Sequence, residues 1–144
     1  MPKVPQPPES LNDLAGVLNV TRRMQTQIDQ AGKEHLEELN QVITAAVMSW
    51  PLPKRVKRLS VPILSYDLED LKHYECFVAT QRQKISGVAA WDSESGLLHG
   101  LYVHPDSQGQ GIGKALLATV FAQASKLGLA SVLIRAERVS RSYF

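Results

Sequence analysis

The chain has 144 residues, 44% of them hydrophobic and 21% charged, a length and balance that fit one globular domain around one core. Sixteen Lys and Arg against fourteen Asp and Glu leave a net charge of +2, too weak a field to make nucleic acid or an acidic membrane surface the main partner. The one cysteine, Cys76, excludes an internal disulfide framework and a thiolate zinc site; it reads as a structural thiol in a reducing, cytoplasmic setting.

Residues 1–9 carry four prolines, which remove backbone donors and helical freedom, so a Pro-rich tail is expected there. No window approaches the roughly 18 apolar residues of a membrane span. From Ser10, Leu11, Leu14, Val17, Leu18, Met24 and Ile28 recur at helical spacing, and after Gly32 the period resumes with Leu36, Leu39, Val42, Ile43, Val47 and Trp50. A helical pair over residues 10–50 is predicted, ended by Pro51 and Pro53. Residues 51–66, with Lys54, Arg55, Lys57 and Arg58, read as a solvated basic connector.

From residue 67, "DLEDLKH" predicts a turn or short helix, and "YECFVAT", "ISGVAAWD" and "LLHGLYV" predict three strands. Their short polar links imply an antiparallel meander. A glycine loop then leads into a helix bearing Leu116, Leu117, Val120, Phe121, Ala124 and Leu127, with Gly128 just past its end. "SVLIRAE" predicts a further strand, and "RVSRSYF" the opening of another helix. The order implies one mixed α/β domain over residues 10–144, a sheet covered by helices.

The glycine loop, "PDSQGQGIGKALL" at residues 105–117, carries the chemistry. A strand that passes through glycines into a helix gathers unsatisfied backbone N–H groups at the positive end of a helix dipole, which makes an anion cradle. Phosphate oxygens can come close because glycine has no Cβ atom. The dinucleotide spacing GxGxxG fails, since Gly109 and Gly111 would need glycine where Lys114 stands; a Walker loop fails because Gln108 and Ala115 occupy its defined places.

Gln108, Gly111 and Gly113 instead match Q/R-x-x-G-x-G/A, and with "LYVHPDSQGQGIGKALL" around them the sequence resembles the GNAT superfamily of N-acetyltransferases. The resemblance implies the acyl-CoA N-acyltransferase fold, a central, mostly antiparallel mixed sheet flanked by helices. It implies acetyl-CoA as acyl donor, an amine of a small molecule or protein as acceptor, direct attack in a ternary complex, and no metal. Carried over by position, the loop from Gln108 and Gly109 through Gln110, Gly111, Ile112, Gly113 and Lys114 would hold the pyrophosphate. Leu101, Tyr102 and Val103 would pair with the pantetheine amides, and a backbone N–H among them would meet the oxyanion.

The proton-transfer groups follow less directly. Many relatives carry an acidic residue where Gly100 stands. His99 titrates in a suitable range, but strand alternation aims it away from the acceptor, so it reads as a hydrogen-bonded strand histidine; Glu75, Asp92 and Glu94 read as strand-end charges able to act only through water. Against the family's closing pattern N-x-x-A-x-x-F-Y, Glu137, Ser140 and Phe144 replace the asparagine, alanine and tyrosine, which leaves Tyr143, displaced by one residue, as the candidate acid. Relatives continue past this point, so a C-terminally incomplete domain and a homodimer that covers the sheet edge are both expected. The alternative to an enzyme is a non-catalytic acyl-CoA-binding sensor of the same fold.

Overall fold

The computed structural model describes residues 26–129 and 132–134. Strand β1 (Gln27–Gln30) leads through a 3-10 turn, Lys33–His35, into helix α1 (Leu36–Met48); α2 (Lys54–Leu64) and the short α3 (Leu68–His73) follow. Strands β2 (Glu75–Gln81), β3 (Lys84–Asp92) and β4 (Leu97–Val103) come next, then a 3-10 turn at Pro105–Ser107, helix α4 (Ile112–Lys126) and β5 (Leu133–Ile134). The sheet has the order β1-β2-β3-β4-β5. Its first four strands are antiparallel and β5 is parallel to β4.

Two helices cover the two faces. On α1 the residues Leu39, Val42, Ile43, Ala46 and Val47 fall at helical spacing and bury one stripe; they pack with Cys76, Val78, Val88, Ala90 and Tyr102 of the sheet. On the opposite face Ile112, Leu116, Val120 and Ala124 of α4 pack against Phe77, Ala89, Trp91, Leu98 and Leu101. Alternate residues of β2 and β3, and of β4 from Leu101 to Val103, therefore serve opposite cores, as the period of a strand requires. Gly128 ends α4 as predicted, at φ +80°, and the Leu129 N–H donates to the Ala124 carbonyl at 2.9 Å.

The first predicted helix is corrected where the structure describes it. Residues 27–30 form β1, with Ile28 opposite Ala79, because pairing satisfies the outer edge of β2 and lets Ile28 pack on the α4-side core. Residues 10–25 lie outside the described residues. The basic connector is also corrected, since most of it is α2. Pro53 sits at its N-cap and Pro62 in its last turn, so neither interrupts the middle of the helix. Lys57, read as solvated, donates from Nζ to the Met48 carbonyl at 2.9 Å and so caps the end of α1.

The strand ladder has two one-residue irregularities. Ser86 is the extra residue of β3 between the pairs Ala79 with Gly87 and Thr80 with Ile85. His99 is the extra residue of β4 between Ala90 with Gly100 and Trp91 with Leu98. The β2–β3 turn places Arg82 and Gln83 at φ +51° and +67°, the geometry of a type I′ hairpin without its usual glycine. No described helix is long and apolar enough to cross a membrane.

Candidate functional site

The loop after β4 is shaped by its own short-range bonds. The His104 Nδ1 accepts the Asp106 N–H at 3.1 Å, and the Ser107 N–H donates to the His104 carbonyl at 2.9 Å. The chain then turns through Gly109 at φ +81° and Gly111 at φ +79°, and Gly111 is the N-cap of α4. An L-residue at either place would carry left-handed strain. A Cβ built on either glycine meets nothing within 4 Å, so the concave side of the loop is open.

The start of α4 has no side-chain cap and no acidic residue in its first turn. Its leading amides, at Ile112, Gly113 and Lys114, have no acceptor within the helix by the geometry of any helix start. An anion placed there would meet these donors and the helix dipole together. Gln108, Gly109, Gln110, Gly111 and Lys114 are exposed, while Ile112 and Gly113 are buried and fix the helix to the sheet. Beside the loop lies a groove of about 500 Å³ whose lining includes Arg82, Lys84, Ser107 and Gln110. The two cations of the hairpin were not legible as neighbours of the loop; β3 runs beside β4, with Gly87 opposite Val103, and this brings them there.

Leu101, Tyr102 and Val103 occupy the buried C-terminal half of β4 directly before the loop. Leu101 and Val103 face the α4 core, and Tyr102 faces the α1 core. Trp50, two residues past α1, stacks on Tyr102 with centroids 6.5 Å apart and planes at 17°. Its indole N–H is buried without a hydrogen-bond partner, an unusual state for a buried donor.

His99 is hydrogen bonded, as its sequence reading expects. As the bulged residue of β4 it reaches the α1 side, where its Nδ1 lies 3.0 Å from the Tyr66 hydroxyl. Tyr74 stacks on its ring at 4.2 Å and 23°. Tyr66 is 5% exposed and is held by Asn40, which hydrogen bonds both its N–H and its carbonyl. A Cβ on Gly100 would lie 2.7 Å from both the Tyr66 hydroxyl and Cε2 of Tyr102. The space a side chain at position 100 would need is thus filled by two tyrosines.

The carboxylates considered from sequence lie elsewhere. Asp92 pairs with Leu97 and Glu75 with Trp91, both toward the end of β4 remote from the glycine loop. Asp92 accepts the Glu94 N–H at 2.9 Å. That backbone bond, followed by contacts with Ser95 and His73, holds its carboxyl below the usual range and makes it a weak proton acceptor. Tyr143, Phe144, Glu137 and Ser140 lie outside the described residues.

A family model described as an acetyltransferase (GNAT) domain matches residues 56–144. Among solved structures, the PaiA N-acetyltransferase from Thermoplasma acidophilum in complex with coenzyme A superposes with a TM-score of 0.66 at 17% identity, over 73% of this chain and 75% of that one. A GCN5-related N-acetyltransferase from Rhodopseudomonas palustris gives 0.67 at 17% identity, over 76% and 72%. A GNAT family acetyltransferase from Brucella melitensis in complex with acetyl-CoA gives 0.58 at 21%, over 77% and 75%. A search of curated protein sequences gives no match. At these identities the structural likeness is one of fold, but the family match spans more than half of the sequence, and the chain belongs to the GNAT acetyltransferase family.

Proposed function

We propose that the chain is an acetyl-CoA-dependent N-acetyltransferase that passes acetyl to an amine of a small molecule or protein by direct attack in a ternary complex. The observation that carries the reading is the uncapped start of α4 behind two left-handed glycines with open space where their side chains would be. Phosphate is the anion that suits such a cradle. The backbone groups of Gln110, Gly111, Ile112, Gly113 and Lys114 bind the pyrophosphate, with the turn at Gln108 and Gly109 shaping the approach. Leu101, Tyr102 and Val103 present backbone groups to the pantetheine, and an N–H among them stabilises the oxyanion. Tyr143 gives its proton to the departing thiolate. The relatives from Thermoplasma and Brucella, solved with coenzyme A and acetyl-CoA respectively, support the choice of donor.

One observation favours a second reading. Gly100 leaves β4 without the carboxylate that many relatives use, which suits an acyl-CoA sensor without turnover. A thermal melt with and without acetyl-CoA, followed by thiol release with a panel of amines, separates the two. At 100 times the dissociation constant the ligand adds about 2.7 kcal/mol, which raises the midpoint by about 5 to 10 °C. Amine-dependent thiol release establishes the transferase; a melt shift without release establishes the sensor.

A further inference from the structure

Tyr66 and His99 come together from separate parts of the fold at the one position of β4 that carries no side chain. Tyr66 lies between α2 and α3, and the Asn40 amide of α1 fixes its backbone at 2.8 Å on both sides. His99 reaches it because the bulge in β4 puts His99 and Gly100 on the same face of the sheet, toward α1. The Tyr66 hydroxyl therefore rests against the β4 main chain at Gly100, one residue before the stretch assigned to the acyl donor's pantetheine. A buried tyrosine hydroxyl bonded to an imidazole, beside the strand proposed to hold the acyl donor, has the composition of a proton relay.

We propose that Tyr66 is the group that takes the proton from the acceptor amine, and that His99 is its positioning residue and proton store. This rests on the transferase reading above. The neutral amine attacks the thioester carbonyl, and a C–N bond forms while the carbonyl electron pair moves to oxygen. The nitrogen, now strongly acidic, gives a proton to Tyr66 Oη as the Tyr66 hydroxyl proton passes to His99 Nδ1. The oxygen pair returns, the C–S bond breaks, and sulfur leaves with its electron pair. The thiolate takes its proton from Tyr143, as proposed above, and the proton held on His99 then passes through solvent to the Tyr143 phenolate, so both groups are restored and the count closes without any further reactant. Among the described residues, Tyr74 stacks on the ring, and His73 packs edge-on to Tyr74 and lies 3.9 Å from Asp92. The arrangement explains why glycine stands at position 100: a side chain there would displace the tyrosine that does the work of the missing carboxylate.

The test is the rate of thiol release from acetyl-CoA with butylamine, glycine amide and spermidine as probes, for the full chain, Tyr66→Phe, His99→Gln and the double variant, between pH 6 and 10. The parent rate should fall as the pH drops through the range in which imidazoles protonate. Tyr66→Phe should lose about 100-fold at pH 7, keep the parent's melt shift with acetyl-CoA, lose the imidazole inflection, and regain much of the rate at pH 10, where hydroxide can take the proton from nitrogen. His99→Gln tests the same relay from its other end, and the double variant should be no slower than either single one, since the pair acts as a unit. A Tyr66→Phe rate within threefold of the parent with the same pH profile, or losses that multiply in the double variant, would overturn the relay while leaving the transferase intact. A parent that binds acetyl-CoA and releases no thiol with any amine removes the transferase reading itself.

Discussion

Asn40 holds Tyr66 by both of its backbone polar groups: the side-chain amide donates to the Tyr66 carbonyl and Oδ1 accepts the Tyr66 N–H, each at 2.8 Å. The two residues are 26 positions apart, so a single side chain sets where the link between α2 and α3 crosses α1. Asn40→Ala removes both bonds and leaves two half-buried backbone groups without them. A loss of about 2 to 3 kcal/mol is expected, read from the urea midpoint at unchanged m-value. A loss under about 0.5 kcal/mol would mean that water takes over both contacts.

Gly111→Ala should separate conformation from ligand space. The left-handed φ of +79° costs an L-residue about 1 to 2 kcal/mol, a drop in melting temperature of several degrees. The added methyl meets no protein atom, so any further effect must fall on a ligand. The acetyl-CoA melt shift should shrink in Gly111→Ala and vanish in Gly111→Val. A full shift in the folded valine variant would show that the loop does not hold the phosphates.

Gly100→Ala places a methyl 2.7 Å from the Tyr66 hydroxyl and from the Tyr102 ring. Overpacking of this kind costs about 1 to 3 kcal/mol. Tyr66→Phe removes one of the two obstructing atoms, so Gly100→Ala should cost less in that background than alone. A double-mutant cycle by urea unfolding measures the difference, and strict additivity would show that the two sites do not meet.

Gln83→Gly should stabilise the chain. Arg82 and Gln83 both sit at positive φ in the β2–β3 turn, where glycine at the second position is the residue the type I′ geometry favours. Removing that strain is worth about 1 kcal/mol, a rise of a few degrees in the melting temperature. A fall in stability would place the value of the Gln83 side chain above the strain it causes.

Cys76 predicts a pH dependence. Burial, helped by the charge of Asp70, pushes its thiol up to about 12 from 9.0. Between those values the folded chain keeps a proton that the unfolded chain releases, so this group lowers stability as the pH rises, by up to about 1.4 kcal/mol per unit. Below pH 9 it has no effect. Cys76→Ala should flatten the alkaline arm of urea unfolding between pH 9 and 11, and the native thiol should resist a disulfide reagent at pH 8. Rapid labelling of the folded chain would contradict its burial.

What was legible in the sequence is what local spacing decides. The meander was readable because β2, β3 and β4 alternate and are joined by short polar turns, and the glycine turn into α4 because its glycines crowd within five positions at a helix start. β1 was not, since Gln27–Gln30 becomes a strand only by pairing with β2 some fifty residues later in the chain. α2 was hidden by prolines at its ends and by four cations that suggested solvent rather than a cap on α1. The Tyr66–His99 contact spans 33 residues and depends on a bulge that reverses which face His99 takes. A period-2 reading of "LLHGLYV" has no means of placing that extra residue.

The wiring of the sheet also has a kinetic meaning. β2, β3 and β4 are neighbours in sequence and in space, closed by the turns at residues 82–83 and 93–96, so their contacts cost little loop entropy and should form first. β1 must find β2 across a long intervening segment, and β5 reaches β4 only after all of α4 has been laid down. The glycine loop lies on the connection between β4 and α4, so the strand that leads into it should join the early nucleus while the helix that follows it docks later. Substitutions in the central hairpins should then slow folding, and those at β1 or β5 should chiefly speed unfolding.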